Sequence, residues 1–131
     1  MTRYVLDTSA VIDLPAAGLN ESDEYLVSSI TVAELNAGVH KTPDPIERAI
    51  RVDRLLWLAE ALDVLPFTES AARMYGQLTA LMLAAGRNPR PRRLDLLIAS
   101  VAATHQVPLV TRNAKDFTGL APLLEVVDLN G

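Results

Sequence analysis

The first ten residues constrain the fold of this chain more than any other stretch. Tyr4-Val5-Leu6 is a short run of strand-forming residues that stops abruptly at Asp7. Thr8 and Ser9 are good helix caps and an apolar run follows them, so the segment predicts a buried strand that turns directly into a helix. Asp7 then lies at the carboxyl end of a strand, where ligands bind in open α/β sheets. Its carboxylate is therefore either a site residue or only the cap of the helix.

Strand-like and helix-like segments alternate along the rest of the chain. Further strands are predicted at 25–28, 63–65, 108–111 and 124–127. Helices are predicted from Thr31, from Asp44-Pro45 to about Leu62, from the cap Thr68 to just before Gly86, and at 94–103. A polar turn is expected at 15–24 and a loop at 112–117. Because strands alternate with helices, the sheet should be mostly parallel and the fold class α/β.

Length and composition narrow the choice further. The chain has 131 residues, half of them apolar, so we expect residues 1–131 to form a single domain around one core. The absence of cysteine excludes disulfides, thiolate zinc sites and cysteine nucleophiles, and it is typical of a cytoplasmic protein. No segment has the pattern of a signal peptide or a membrane span, so neither export nor membrane insertion is expected.

The charge of the chain is acidic overall but uneven. A net charge of -4 argues against a protein that coats nucleic acid by bulk electrostatics. Four arginines nevertheless crowd into one short stretch that two prolines stiffen, namely Arg87, Arg90, Arg92 and Arg93. This stretch is either a local basic surface in an acidic protein or an ordinary solvated turn.

Four carboxylates occupy corresponding places in the predicted elements. Asp7 and Asp116 lie just beyond strands, and Glu34 and Asp95 lie in the first turns of helices, which share one edge of a parallel sheet. Local alternatives exist, since Glu34 completes a capping box with Thr31. Asp95 likewise suits a helix dipole. The coincidence of all four at one edge outweighs these separate explanations.

Carboxylates that converge repel one another, and they stay ionised together only when a cation enters. Oxygen ligands without cysteine or a well-placed histidine favour Mg²⁺ or Mn²⁺ over Zn²⁺. Mg²⁺ typically keeps several waters, which suits phosphoryl chemistry. The sequence therefore predicts a divalent-cation site at the carboxyl edge of the sheet.

Four short motifs carry a resemblance to a known family. They are Val5–Ser9, Val32–Leu35, Asp95–Ala99 and Leu109–Phe117. In order and spacing they resemble the acidic motifs of PIN-domain ribonucleases, in particular the VapC-type toxins of bacterial toxin–antitoxin modules. The resemblance covers essentially the whole chain. It implies a PIN-like three-layer sandwich, in which helices flank a mostly parallel central sheet.

The resemblance also implies an activity and assigns residues to it. Such a protein is a Mg²⁺-dependent endoribonuclease that hydrolyses RNA, forms a homodimer and is inhibited by a cognate VapB-type antitoxin. The implied catalytic acids are Asp7, Glu34, Asp95 and Asp116. The implied metal ligands are Asp7, Asp95 and Asp116. The supporting hydroxyl and amide groups would be those of Thr8, Ser9, Thr111 and Asn113. RNA phosphates would contact Arg92, Arg93, Arg112 and Lys115.

Other functions are compatible with parts of the pattern. A receiver domain needs an acidic pair after its first strand, and a haloacid-dehalogenase-type phosphatase needs a second aspartate where Ser9 stands, so both are disfavoured. Two readings remain open beside the ribonuclease. One is a catalytically silent PIN fold that only binds a partner, and the other is a structure-specific DNA nuclease.

Overall fold

A single sheet organises the part of the chain that the computed structural model describes, which is residues 1–17, 20 and 22–131. Its strands are β1 (Arg3–Leu6), β2 (Glu24–Ser28), β3 (Asp63–Leu65), β4 (Leu109–Thr111) and β5 (Val126–Asp128). They lie in the order β3-β2-β1-β4-β5, and each neighbouring pair is parallel. The predicted α/β class and parallel sheet are therefore confirmed.

Five α-helices connect these strands. They are α1 (Thr8–Ala17), α2 (Ser29–Val39), α3 (Pro45–Ala61), α4 (Glu69–Ala84) and α5 (Arg93–Thr104). Short 3₁₀ helices at Arg90–Arg92 and Ala114–Phe117 replace parts of the two predicted loops. The turn expected at 15–24 begins later, because α1 continues through Ala17. Residues 18, 19 and 21 of that turn lie outside the described residues.

Successive strand residues face opposite sides of the sheet, which explains the three layers. Val5 joins a core formed with α4 and α5, whereas Leu6 joins a second core formed with α1, α2 and α3. The same alternation sends Leu109 to the first core and Val110 to the second. Because both faces are covered, each of the three central strands has consecutive apolar residues that face opposite cores, as is usual for parallel sheets.

Helix caps mark most helix starts where the sequence predicts them. The Asp44 carboxylate accepts the Ile46 N–H at 3.0 Å to open α3, and the Thr68 hydroxyl accepts the Ala71 N–H at 3.2 Å to open α4. The predicted start of α2 at Thr31 is wrong. The cap is Ser28, whose hydroxyl accepts the Thr31 N–H at 3.2 Å, so α2 begins two residues earlier.

The topology brings four chain segments to one edge of the sheet. The carboxyl ends of β1, β2 and β4 open at this edge, and the amino ends of α1, α2 and α5 begin there. Among the described helices, none is both long enough and apolar enough to cross a membrane.

Candidate active site

The four predicted carboxylates, Asp7, Glu34, Asp95 and Asp116, lie at this edge, and we call them the acidic edge. Asp7 follows β1, Asp116 lies in the 3₁₀ helix after β4, and the other two lie on α2 and α5. Their proximity is visible in the pKa of Asp95, which the charges of the three others raise. The structure thus brings together residues that are up to 109 positions apart in the chain, from Asp7 to Asp116.

Asp7 both caps a helix and belongs to the site. The side chain is buried, with 3% of its surface exposed. Its Oδ1 accepts the Ala10 N–H at 2.9 Å and the Ser9 hydroxyl at 2.7 Å. Within the described structure both bonds use Oδ1, which leaves Oδ2 for a ligand. The two interpretations of Asp7 are therefore compatible.

Glu34 does not have the capping role that the sequence also suggested. Since α2 is capped by Ser28, the Thr31 amide is already satisfied. Glu34 instead accepts a hydrogen bond from the Thr8 hydroxyl, at 2.8 Å between Oγ1 and Oε1. This contact ties α2 to the start of α1. The capping-box explanation of Glu34 is wrong, and its carboxylate is held at the acidic edge.

Hydroxyl groups join the ends of β1 and β4. Ser9 Oγ lies 3.4 Å from Thr111 Oγ1 and accepts the Arg112 N–H at 3.1 Å. Thr111, which is fully buried, accepts the Asn113 N–H at 3.0 Å. Ser9 and Thr111 therefore fix the backbone on both sides of the acidic edge, whereas the Asn113 side chain is exposed.

Burial raises the pKa of Asp95 from 3.8 to about 6. The negative charges of Asp116, Asp7 and Glu34 raise it as well, and the positive charge of Arg92 opposes them. A carboxylate in the first turn of α5 also gains from the helix dipole. The high pKa means that repulsion and desolvation outweigh this gain, so Asp95 is more than a helix-stabilising residue.

The predicted RNA-binding cations differ in their surroundings. Arg93 and Lys115 are exposed, and Arg112 is paired with Asp13 on α1. Arg92 is half-buried and faces the acidic edge, with its Nε 3.8 Å from Asp116 Oδ1. The basic stretch is thus not a uniform solvated turn.

A cavity of about 340 Å³ opens beside the acidic edge. Glu34 and Asp95 line one part of it, and Arg90 and Arg93 line another. Arg90 was not among the residues assigned to the site from sequence. The only indication of Arg90 in the sequence was its place in the arginine-rich stretch. In the structure it begins the 3₁₀ helix Arg90–Arg92 and lines the cavity.

The acidic edge suits a hard divalent cation. Its side-chain donors are oxygens, and the two histidines, His40 and His105, are exposed at the far ends of α2 and α5. In the described part of the chain, no three carboxylate or imidazole groups form a ready-made metal cluster. A donor set of oxygens without thiolate or imidazole is unlike a structural zinc site. It fits Mg²⁺ or Mn²⁺, because these ions prefer oxygen ligands.

Comparison with known proteins agrees with this geometry. The family model of the PIN domain matches residues 4–121. The chain belongs to the PIN-domain family. Ribonuclease VapC5 of Mycobacterium tuberculosis is 36% identical to this PIN domain over 120 residues, which is 88% of this chain and 86% of the relative.

Solved structures give the same result. The VapBC-5 toxin–antitoxin structure from Mycobacterium tuberculosis is similar to this PIN domain with a TM-score of 0.79 and 31% identity, covering 98% of this chain and all of the other. The VapBC2 structure from Rickettsia felis, bound to a promoter DNA fragment, has a TM-score of 0.77 and 26% identity, covering 97% and 98%. The resemblance to VapC-type PIN-domain ribonucleases is therefore confirmed.

The raised pKa of Asp95 predicts how the metal-free protein responds to pH. The folded state holds this proton up to about pH 6, whereas an unfolded chain releases it near 3.8. Folding therefore takes up a proton between these values, and the stability of the metal-free protein should rise as pH falls from 7 towards 5. The Asp95→Asn variant should lack the gain in stability that comes from protonation of Asp95. In EDTA at pH 7.5 it should melt at or above the wild-type temperature.

Thermal melting in EDTA across this pH range measures both effects, with Asp53→Asn as a control because Asp53 is an exposed carboxylate on α3. If Asp95 only stabilised the helix, Asp95→Asn would melt below the wild-type temperature instead. Its replacement would then cost roughly 0.3 to 1 kcal/mol at pH 7.5.

Proposed function

We propose that this PIN-domain protein is a Mg²⁺-dependent endoribonuclease toxin of a toxin–antitoxin system, acting in the cytoplasm. The observation that carries the proposal is the convergence of Asp7, Glu34, Asp95 and Asp116 at one edge of the sheet. Burial and, after it, repulsion by the other three carboxylates raise the pKa of Asp95 to about 6. The names of the relatives, which are VapC ribonucleases, supply the substrate class.

The residues of the acidic edge would have different roles in phosphodiester hydrolysis. Asp7, Asp95 and Asp116 would hold Mg²⁺, or Mn²⁺ in its place. The bound ion supplies a nucleophilic water of lowered pKa and offsets charge on the phosphoryl oxygens. Asp7 would contribute Oδ2, since its Oδ1 already accepts hydrogen bonds from Ser9 and Ala10.

Glu34 would orient the attacking water. The Thr8 hydroxyl fixes Glu34 Oε1 at 2.8 Å, so Oε2 can accept a hydrogen bond from a water in the adjoining cavity, which Glu34 lines. Positioning of this kind is a large part of enzymatic rate enhancement. Ser9 and Thr111 keep the two strand ends, and hence Asp7 and Asp116, at a fixed separation.

The basic groups beside the acidic edge would bind RNA phosphates. Arg90 and Arg93 line the cavity, and Lys115 is exposed near Asp116. Arg112 offers a guanidinium that is already oriented by Asp13, and the exposed Asn113 would contribute its amide. With so few cations on an acidic protein, binding should be modest in affinity. Sequence and shape of exposed single-stranded RNA would then provide specificity.

Matched RNA and DNA oligonucleotides of the same sequence test the activity. We expect cleavage of single-stranded RNA with Mg²⁺, no cleavage in EDTA, and a loss of at least about 100-fold in rate for Asp7→Asn and Asp95→Asn. Asp53→Asn should cleave like the wild type. Preferential cleavage of DNA would support a DNA nuclease, and a folded protein that binds RNA or a partner without cleaving would support a silent binding module.

The acidic edge also offers a means of inhibition. We expect a VapB-type antitoxin to insert an arginine or lysine there, because a buried cation would neutralise the carboxylates and exclude the metal. The related structures are toxin–antitoxin complexes, which supports a protein partner. Rates of RNA cleavage by the purified complex should recover as Mg²⁺ is raised. Equal inhibition by an antitoxin whose basic residues at the contact are replaced by glutamine would contradict this.

Helix α3 favours assembly into a homodimer. Its surface exposes large apolar side chains, among them Ile46 at 73% and Leu56 at 61%, and such patches mark protein contacts. Light scattering at micromolar concentration should give twice the mass of one chain. Leu56→Glu should shift the protein towards monomer, whereas Leu83→Glu, at an equally exposed leucine on α4, should not. A wild-type protein that is monomeric under these conditions disproves the homodimer.

A further inference from the structure

Arg92 is more buried than the neighbouring Arg90 and Arg93 and lies against a carboxylate. Its side chain is 29% exposed, and its Nε lies 3.8 Å from Asp116 Oδ1, which is an ion pair but not a hydrogen bond. Within the described residues Nε is a buried side-chain nitrogen without a hydrogen-bond partner. A guanidinium N–H that is buried and unsatisfied is costly, so its position calls for a compensating interaction.

The compensating interaction is with the charge of the acidic edge. Arg92 faces Asp116 directly, and its charge also favours the ionised form of Asp95. Its charge therefore acts on two of the three carboxylates to which we assign the metal. Arg93, the next residue, is exposed and lines the cavity beside the acidic edge, and no ion pair joins it to a carboxylate among the described residues.

The backbone holds Arg92 in this place. It is the last residue of the 3₁₀ helix that precedes α5, and its N–H donates to the Pro89 carbonyl at 2.9 Å. Pro91, directly before it, fixes the backbone further. An arginine on a turn constrained in this way loses little additional entropy when it points at the carboxylates.

We propose that Arg92 is a resident counter-cation of the acidic edge, which stabilises the metal-free protein and opposes the binding of the divalent ion. The inference rests on the proposed metal site. In the absence of metal, the guanidinium offsets part of the repulsion between Asp95 and Asp116. When Mg²⁺ or Mn²⁺ binds, two cations face the same carboxylates, so the metal must displace Arg92 or bind against its charge. Arg92 thus tunes metal affinity, beyond any contact with RNA.

Neutral and charged replacements of Arg92 distinguish this role from others. Arg92→Gln and Arg92→Met remove the charge, and Arg92→Lys keeps it. Lys41→Gln makes the same change in net charge at an exposed cation just beyond the far end of α2. We expect the two neutral variants to melt below wild type in EDTA and to bind Mn²⁺ about 5- to 10-fold more tightly, since one opposing charge is gone. Arg92→Lys and Lys41→Gln should stay within about two-fold of wild type. Calorimetric titration with Mn²⁺ and melting curves in EDTA measure both quantities without RNA.

Each outcome decides the matter. Neutral variants that bind Mn²⁺ no more tightly than Lys41→Gln does, or more weakly, overturn the inference. Variants that fold only when Mn²⁺ is added support it, whereas variants that fold under neither condition contradict it, because a lost counter-charge should be replaced by the metal. A wild-type protein without any response to Mg²⁺ or Mn²⁺ contradicts the proposed function and this inference together. A wild-type response that Arg92→Gln leaves unchanged contradicts the inference alone.

Discussion

Repulsion among four carboxylates at one edge of a sheet is the constraint on which the site depends. A parallel sheet necessarily gathers the carboxyl ends of its strands and the amino ends of the following helices at the same edge. The chain places Asp7, Glu34, Asp95 and Asp116 at that edge. Folding must therefore supply the energy that keeps these charges together, and the raised pKa of Asp95 shows that the compensation is incomplete.

The fold supplies partial compensation from its own backbone. The amino ends of α1, α2 and α5 carry partial positive charge towards this edge. Asp7 accepts a hydrogen bond from one of these backbone groups, the Ala10 N–H. Glu34 accepts one from a side chain at the start of α1, the Thr8 hydroxyl. Such bonds hold the carboxylates in position without neutralising them. Structural and functional explanations of an acidic residue are thus not exclusive: the interaction that caps the helix also orients the ligand.

Local sequence signals predicted the elements well, because they depend on neighbours in the chain. Asp44, Thr68 and the strand at 63–65 were read correctly from capping and turn preferences. The membership of Asp7 and Asp95 in one cluster was also predicted, since topology alone requires it. The strand order β3-β2-β1-β4-β5 had no local signal. The start of α2 was misread because two candidate hydroxyls, Ser28 and Thr31, lie three residues apart and both are buried. In the fold the Ser28 hydroxyl accepts the Thr31 N–H, so Ser28 is the cap.

What sequence could not separate was the role of each arginine. Arg92 and Arg93 are adjacent and chemically identical, yet Arg92 is half-buried in an ion pair with Asp116, whereas Arg93 is exposed at the neighbouring cavity. The two residues lie where a 3₁₀ helix passes into α5, since Arg92 ends the first and Arg93 begins the second. The pattern of charges in the sequence assigns Arg92 and Arg93 to the same basic patch. Only the fold shows that the positive charge of Arg92 offsets the negative charge of the acidic edge instead of adding to the basic surface beside it. The sum of charges read from the sequence therefore does not give the charge that a ligand meets at the site.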